Sequence, residues 1–187
     1  MRTLITGGAA SGKSAFAEEL LLSAPGPRVY IATLRVYSDE ERQRVARHEQ
    51  LRAGKGFQVV ERSENLAALE LPQELQGGAI LLECLGDLVA NEMYEPETWE
   101  RINSQKVCDS VLNGLAMLES CCENLIVVTN EVGADGVSCS QETQAYIRLL
   151  GKLNCSLASQ WDNVIECVSQ VPCVLKGELS AWTSCVR

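Results

Sequence analysis

Met1-Arg2-Thr3-Leu4-Ile5-Thr6-Gly7-Gly8-Ala9-Ala10-Ser11-Gly12-Lys13-Ser14 opens the chain, and its reading decides the fold. Thr3 to Thr6 is a short apolar run of strand character. Gly7, Gly8, Ala9, Ala10, Ser11, Gly12, Lys13 and Ser14 fit the phosphate-loop pattern G-x-x-x-x-G-K-[ST], and Ala15 to Leu22 continue as a helix. Strand, glycine-rich loop and helix is the context this motif requires. The glycines let the backbone curl so that its N–H groups face phosphate oxygens. The helix that begins near Lys13 adds the positive end of its dipole. Lys13 is placed to reach the β- and γ-phosphates, and the Ser14 hydroxyl to hold Mg²⁺. The alternative, a glycine-rich turn without a ligand, leaves the lysine and serine unexplained.

Working outward, the rest of the chain alternates strands with helices. Arg28 to Thr33 reads as a second strand with the apolar centre of a buried parallel strand. Ser38-Asp39-Glu40-Glu41 reads as a capped helix start, with the helix running to about Ala53 and ended by Gly54-Lys55-Gly56. Phe57 to Glu61 is a third strand, Ser63 to Leu69 a short helix and Pro72 to Gly78 a polar connection. Ala79 to Glu83 is a fourth strand, four apolar residues closed by an acid, the pattern of a strand whose terminal carboxylate faces the metal. Two helices follow, Leu85 to Met93 and Trp99 to Cys121, and then a fifth strand, Leu125 to Thr129. Asn130 to Ser138 is a polar loop, Gln141 to Trp161 an amphipathic helix, and Val164 to Val168 and Val171 to Leu175 the last strands. The pattern implies an α/β fold: a mostly parallel sheet with helices on both faces. Residues 1–177 are expected to form one nucleotide-binding domain, and 178–187 a loose tail.

Composition narrows the partners. The 187 residues carry a net charge of −9 without a basic run, which argues against nucleic acid and against an anionic membrane surface. No apolar run approaches the length of a membrane span, and the first one leads straight into the phosphate loop, so neither an integral membrane segment nor a signal peptide is expected. Nine cysteines without a C-x-x-C pair, and one histidine, point to reduced thiols in a cytoplasmic protein rather than to a zinc site.

That one histidine is the second candidate for chemistry. Arg44, His48 and Arg52 are spaced by four and share one face of the expected helix. An imidazole flanked by two guanidiniums is disfavoured as a cation, and neutral imidazole is a nucleophile toward phosphorus. The competing reading is a solvated helix face on which Glu40 and Glu41 pair with Arg44. Glu83 is the natural metal carboxylate, whereas Glu61, which also closes a strand, is uninformative alone.

Taken together, these residues resemble a known family. Gly7 to Ser14 resembles its opening T-G-G-x-x-S-G-K-S. Tyr30-Ile31-Ala32-Thr33, the Arg44 to His48 to Arg52 stretch, Leu82-Glu83-Cys84-Leu85, Asn91 and Thr129-Asn130-Glu131-Val132-Gly133 follow in the family's order. The family is the bifunctional adenosylcobinamide kinase/adenosylcobinamide-phosphate guanylyltransferase of cobalamin biosynthesis, and the resemblance covers about residues 2 to 177. It implies a single P-loop NTPase domain of RecA-like topology, assembled as a homotrimer. It also implies two reactions: GTP or ATP phosphorylates the aminopropanol hydroxyl of adenosylcobinamide, and GTP then delivers GMP to adenosylcobinamide phosphate through a covalent adduct on His48. By the same mapping Thr33, Leu34, Arg35, Glu49, Gln50, Leu51, Arg52, Glu61 and Glu83 contact guanine nucleotide. The sequence departs from the family's pattern at Ala134 to Cys139, which lack a proline, and at Leu149 and Cys155, where aspartate and glutamine are usual. Two other readings remain: a P-loop kinase of a small metabolite with His48 structural, and a nucleotide-gated binding protein without turnover. A covalent nucleotide adduct separates the first from the family reading, and turnover separates the second.

Overall fold

The computed structural model describes residues 1–35, 54–95, 98, 100–133 and 139–178. Seven strands form one sheet: β1 (Arg2–Thr6), β2 (Arg28–Ala32), β3 (Gln58–Glu61), β4 (Ala79–Glu83), β5 (Asn124–Val128), β6 (Asn163–Val168) and β7 (Val171–Lys176). Their order is β3-β2-β4-β5-β1-β6-β7. All neighbours run parallel except β6 and β7, which are antiparallel. The strand before the phosphate loop, β1, and the acid-ended strand, β4, are thus separated by β5. That is the RecA-like arrangement, and it leaves room above β5 for a nucleotide between loop and acid.

Alternation along each strand divides the core in two. On one face Ile5, Tyr30, Leu81, Ile126, Val128 and Ile165 pack against Ala17, Leu20 and Leu21 of α1 (Lys13–Ser23). On the other face Leu4, Val29, Ile31, Ile80, Leu82, Leu125 and Val127 meet α2 (Leu85–Glu92), α3 (Ser104–Cys121) and α4 (Gln141–Gln160). Because both faces are covered, the central strands read as continuous apolar runs.

Most elements lie within a residue or two of the sequence expectation, with two corrections. The helix expected from Trp99 begins at Ser104, because the Asn103 side chain accepts the Gln105 N–H at 2.8 Å and caps it there. Ahead of the cap the chain doubles back instead of coiling: Ile102 N–H donates to Met93 at 2.9 Å, and Tyr94 bridges Arg101. The helix expected over Ser63 to Leu69 shrinks to one 3₁₀ turn, Leu66–Ala68, behind a left-handed Asn65. Leu66 is fully buried against Gly114 of α3, so tertiary packing sets that segment's path. The helix expected from Ser38 to Ala53 lies outside the described residues, as do residues 179–187.

Candidate active site

The site is built on the carboxyl edge of the sheet, where open α/β folds bind ligands. Glu83 at the end of β4 pairs in register with Val128 of β5, which pairs in turn with Ile5 of β1. Two inter-strand steps separate Glu83 from Ile5, roughly 10 Å at the usual spacing. The phosphate loop spans that gap. It leaves β1 at Gly7 and curls back to start α1 at Lys13.

Two glycines make the curl possible. Gly7 has φ +145°, and a Cβ there would lie 2.4 Å from the Cys167 carbonyl oxygen. Gly12 has φ +95° and caps α1 from the left-handed region, 3.0 Å from Gln170 Cα. Both conformations suit only glycine. Neighbouring backbone fixes the loop: Glu131 N–H donates to Gly7 at 3.2 Å, and Gln170 N–H donates to the Ser11 carbonyl at 2.8 Å.

Three side chains define the chemistry. The Lys13 ammonium donates to the Gly8 carbonyl at 2.7 Å, and the residue is 7% exposed. Burial lowers its pKa, against the opposing pull of neighbouring groups including Glu83. The Ser14 hydroxyl donates to Glu83 Oε1, and the Tyr30 hydroxyl donates to Oε2 at 2.6 Å. Tyr30 reaches the carboxylate because it pairs with Leu81, which shares a strand face with Glu83. Lys13, Ser14 and Glu83 line a cleft of about 420 Å³ with Ala9, Ala10, Cys84, Asp87, Asn130, Glu131 and Val132. In the same loop Ser11 Oγ is buried and, among the described residues, has no hydrogen-bond partner, which leaves a donor for a ligand oxygen. A hydroxyl beside one carboxylate fits Mg²⁺, which is held by one or two protein oxygens plus substrate phosphates and water. Among the described residues no cluster of three or more histidine, cysteine or acidic side chains offers another metal position.

The other expected residues fall into three groups. Thr33 is fully buried at the end of β2, its hydroxyl donating to the Cys84 carbonyl at 2.7 Å. Leu34 is half-buried beside it, and Arg35 pairs with Glu64. Glu61, in register with Ala32, is exposed at the same carboxyl edge, one strand beyond β2. Thr33 and Glu61 thus flank the Glu83 side of the edge rather than the phosphate loop. His48, Glu49, Gln50, Leu51 and Arg52 lie outside the described residues. Of the departures from the family pattern, Leu149 is buried in the core with α2 and α3, and Cys155 is exposed on α4. Neither lines the cleft.

Sequence reasoning did not single out Tyr30 or Asp87 for a role. A tyrosine inside an apolar strand reads as core until the register shows its hydroxyl on an acid. In the sequence Asn91 stands out only as part of the family pattern. Its amide donates to the Thr33 carbonyl at 2.8 Å and to Ser63 at 2.9 Å, tying α2 to the strand ends.

Phosphate loop, acid two strands away and RecA-like strand order together make this a P-loop nucleotide-binding α/β protein, with a nucleotide as substrate. Its sequence goes further. A family model described as cobinamide kinase/cobinamide phosphate guanyltransferase matches residues 3–175, and the chain belongs to that family. It is 32% identical over 183 residues to the bifunctional adenosylcobalamin biosynthesis protein CobU of Salmonella typhimurium, a match covering 94% of this chain and 100% of the relative. The protein of the same name from Escherichia coli is 30% identical, with the same coverage. The bifunctional adenosylcobalamin biosynthesis protein CobP of Pseudomonas aeruginosa is 30% identical, covering 95% of this chain and 99% of the relative.

Proposed function

We propose that this chain catalyses both reactions joined in its family's name. An NTP first phosphorylates the aminopropanol hydroxyl of adenosylcobinamide. GTP then transfers GMP to adenosylcobinamide phosphate, releasing pyrophosphate, by way of a guanylylated His48. The observation that carries the reading is the Lys13, Ser14 and Glu83 constellation within a family match that spans nearly the whole chain.

The chain's own groups account for the charge handling. Loop N–H groups and Lys13 cradle the phosphates and stabilise charge on the transferring group. Ser14 and Glu83 would hold Mg²⁺, which supplies neutralisation of the developing phosphate charge. A histidine carrier divides guanylyl transfer into two displacements, each with a good leaving group. Thr33, Leu34, Arg35, Glu49, Gln50, Leu51, Arg52 and Glu61 surround the guanine nucleotide in this reading. The assembly is a cytoplasmic homotrimer, with a solution mass three times 20.4 kDa.

The test uses α-labelled GTP with Mg²⁺, followed by denaturation. Acid-labile, base-stable label on the wild type that disappears in His48→Ala, with phosphorylation of adenosylcobinamide retained, is the expected result. Persistent label in His48→Ala would sink the histidine, and phosphorylation without any label would leave a simple kinase.

A further inference from the structure

Asp87 lines the cleft and takes no part in the chemistry described so far. It sits in the first turn of α2, four residues beyond Glu83, and shares the cavity with Ala9, Ala10, Lys13 and Ser14. Its backbone is pinned: Asp87 N–H donates to Cys84 Sγ at 3.3 Å. Its side chain is pinned at one oxygen, because the Cys84 thiol donates to Oδ2 at 3.0 Å. The thiol thus caps α2 by accepting the Asp87 N–H, and Asp87 Oδ2 holds the thiol in return. Among the described residues the second oxygen, Oδ1, has no hydrogen-bond partner. Of the cleft's two other carboxylates, Glu131 is exposed on the loop after β5, and Glu83 is engaged at both oxygens by Ser14 and Tyr30. Glu83 is thus committed beside the metal position, whereas Asp87, held in place on α2, has an acceptor to spare.

We propose that Asp87 is the general base of the kinase half-reaction, a role that rests on the functional reading above. The acceptor's alcohol donates its hydrogen bond to Asp87 Oδ1. As the alcohol oxygen bonds to the γ-phosphorus, the bond from that phosphorus to the β–γ bridging oxygen breaks. The nucleoside diphosphate leaves with the electron pair, and the proton passes to Asp87. Phosphoryl transfer needs this kind of positioned carboxylate to aim a weakly acidic hydroxyl. The same charge repels an acceptor that is already a phosphate, so the residue serves the first reaction and not the second. The competing role, completion of the α2 cap, needs only Oδ2.

Asp87→Asn separates the two, since the amide oxygen still accepts from Cys84 and keeps the cap. Three quantities are measured: the rate of adenosylcobinamide phosphorylation, the rate of guanylyl transfer to adenosylcobinamide phosphate, and the Kd for a fluorescent GTP analogue. The expected result is a fall of about 10²-fold or more in kcat for phosphorylation. Guanylyl transfer does not fall, because losing a charge that repels a phosphate acceptor can only favour it, and the analogue binds no more weakly. Phosphorylation at the wild-type rate overturns the role of Asp87 and leaves the family activity standing. Loss of nucleotide affinity alongside phosphorylation also overturns it, because that marks a structural residue. A wild-type chain that phosphorylates no adenosylcobinamide overturns the functional reading itself, and the base with it.

Discussion

Glu83 is the residue on which three strands and a helix converge. It ends β4, receives the Ser14 hydroxyl from α1 and the Tyr30 hydroxyl from β2, and lies across β5 from the phosphate loop. Replacing it with glutamine keeps the shape and removes the charge. Glu83→Gln is expected to raise the Mg²⁺ concentration for half-maximal phosphorylation at least roughly tenfold, the lower end of what losing even an indirect metal partner costs. An unchanged Mg²⁺ dependence would remove Glu83 from the metal site. Lys13→Met removes one buried cation from the phosphate cradle, and loss of a single such donor typically costs about 10²–10³ in rate. In the proposed reading both reactions use the same loop, so phosphorylation and guanylyl transfer should fall together; separate responses would argue for two triphosphate positions. Lys13, Ser14 and Glu83 were legible in sequence because a loop motif and a strand-ending acid have fixed spacing. Tyr30 and Asp87 were not, since what they touch depends on strand register and on the start of α2.

At the scale of elements, caps and turns decide where structure begins. The sequence pattern runs a helix from Trp99, yet α3 starts at Ser104 because Asn103 offers an oxygen to the exposed amide of Gln105. Asn103→Ala is expected to cost about 1 kcal/mol. For a chain of this size that lowers Tm by about 2–4 °C, read by calorimetry, with nucleotide affinity unchanged. No shift in Tm would mean that the bridge between Tyr94 and Arg101 fixes the boundary alone. The phosphate loop has the opposite logic, because it is held by conformation. Gly12→Ala forces a Cβ into a left-handed position against Gln170, so nucleotide affinity should fall well before the fold is lost. The binding constant and the urea midpoint, measured on one sample, separate those two effects.

The whole molecule couples stability to thiols that no reaction needs. Cys122, buried after α3, has its pKa pushed up to about 11, first by desolvation, against the opposing pull of Arg2 and the amino terminus. Its ordinary value is 9.0. Between pH 9 and 11 the unfolded chain loses this proton while the folded chain keeps it. The unfolded state then binds fewer protons, so stability is complete below pH 9 and declines as pH rises toward 11. Cys122→Ala should flatten the decline of the urea midpoint across that window. An identical slope in both proteins would assign the alkaline loss to other groups, such as Tyr146, whose half-buried phenol is held up to about 12 by desolvation.

By itself the sequence determined the phosphate loop, the run of parallel strands and the family, because each is written in local spacing: glycines that must turn, apolar runs that must be buried on both faces, acids that end strands. The order β3-β2-β4-β5-β1-β6-β7 came from tertiary structure, as did the meeting of Tyr30, Ser14 and Glu83 and the spare oxygen of Asp87. These depend on which strands pair and in what register. Pairing is settled by how the two faces of the sheet are covered, a property of the packed chain that no single stretch of it contains.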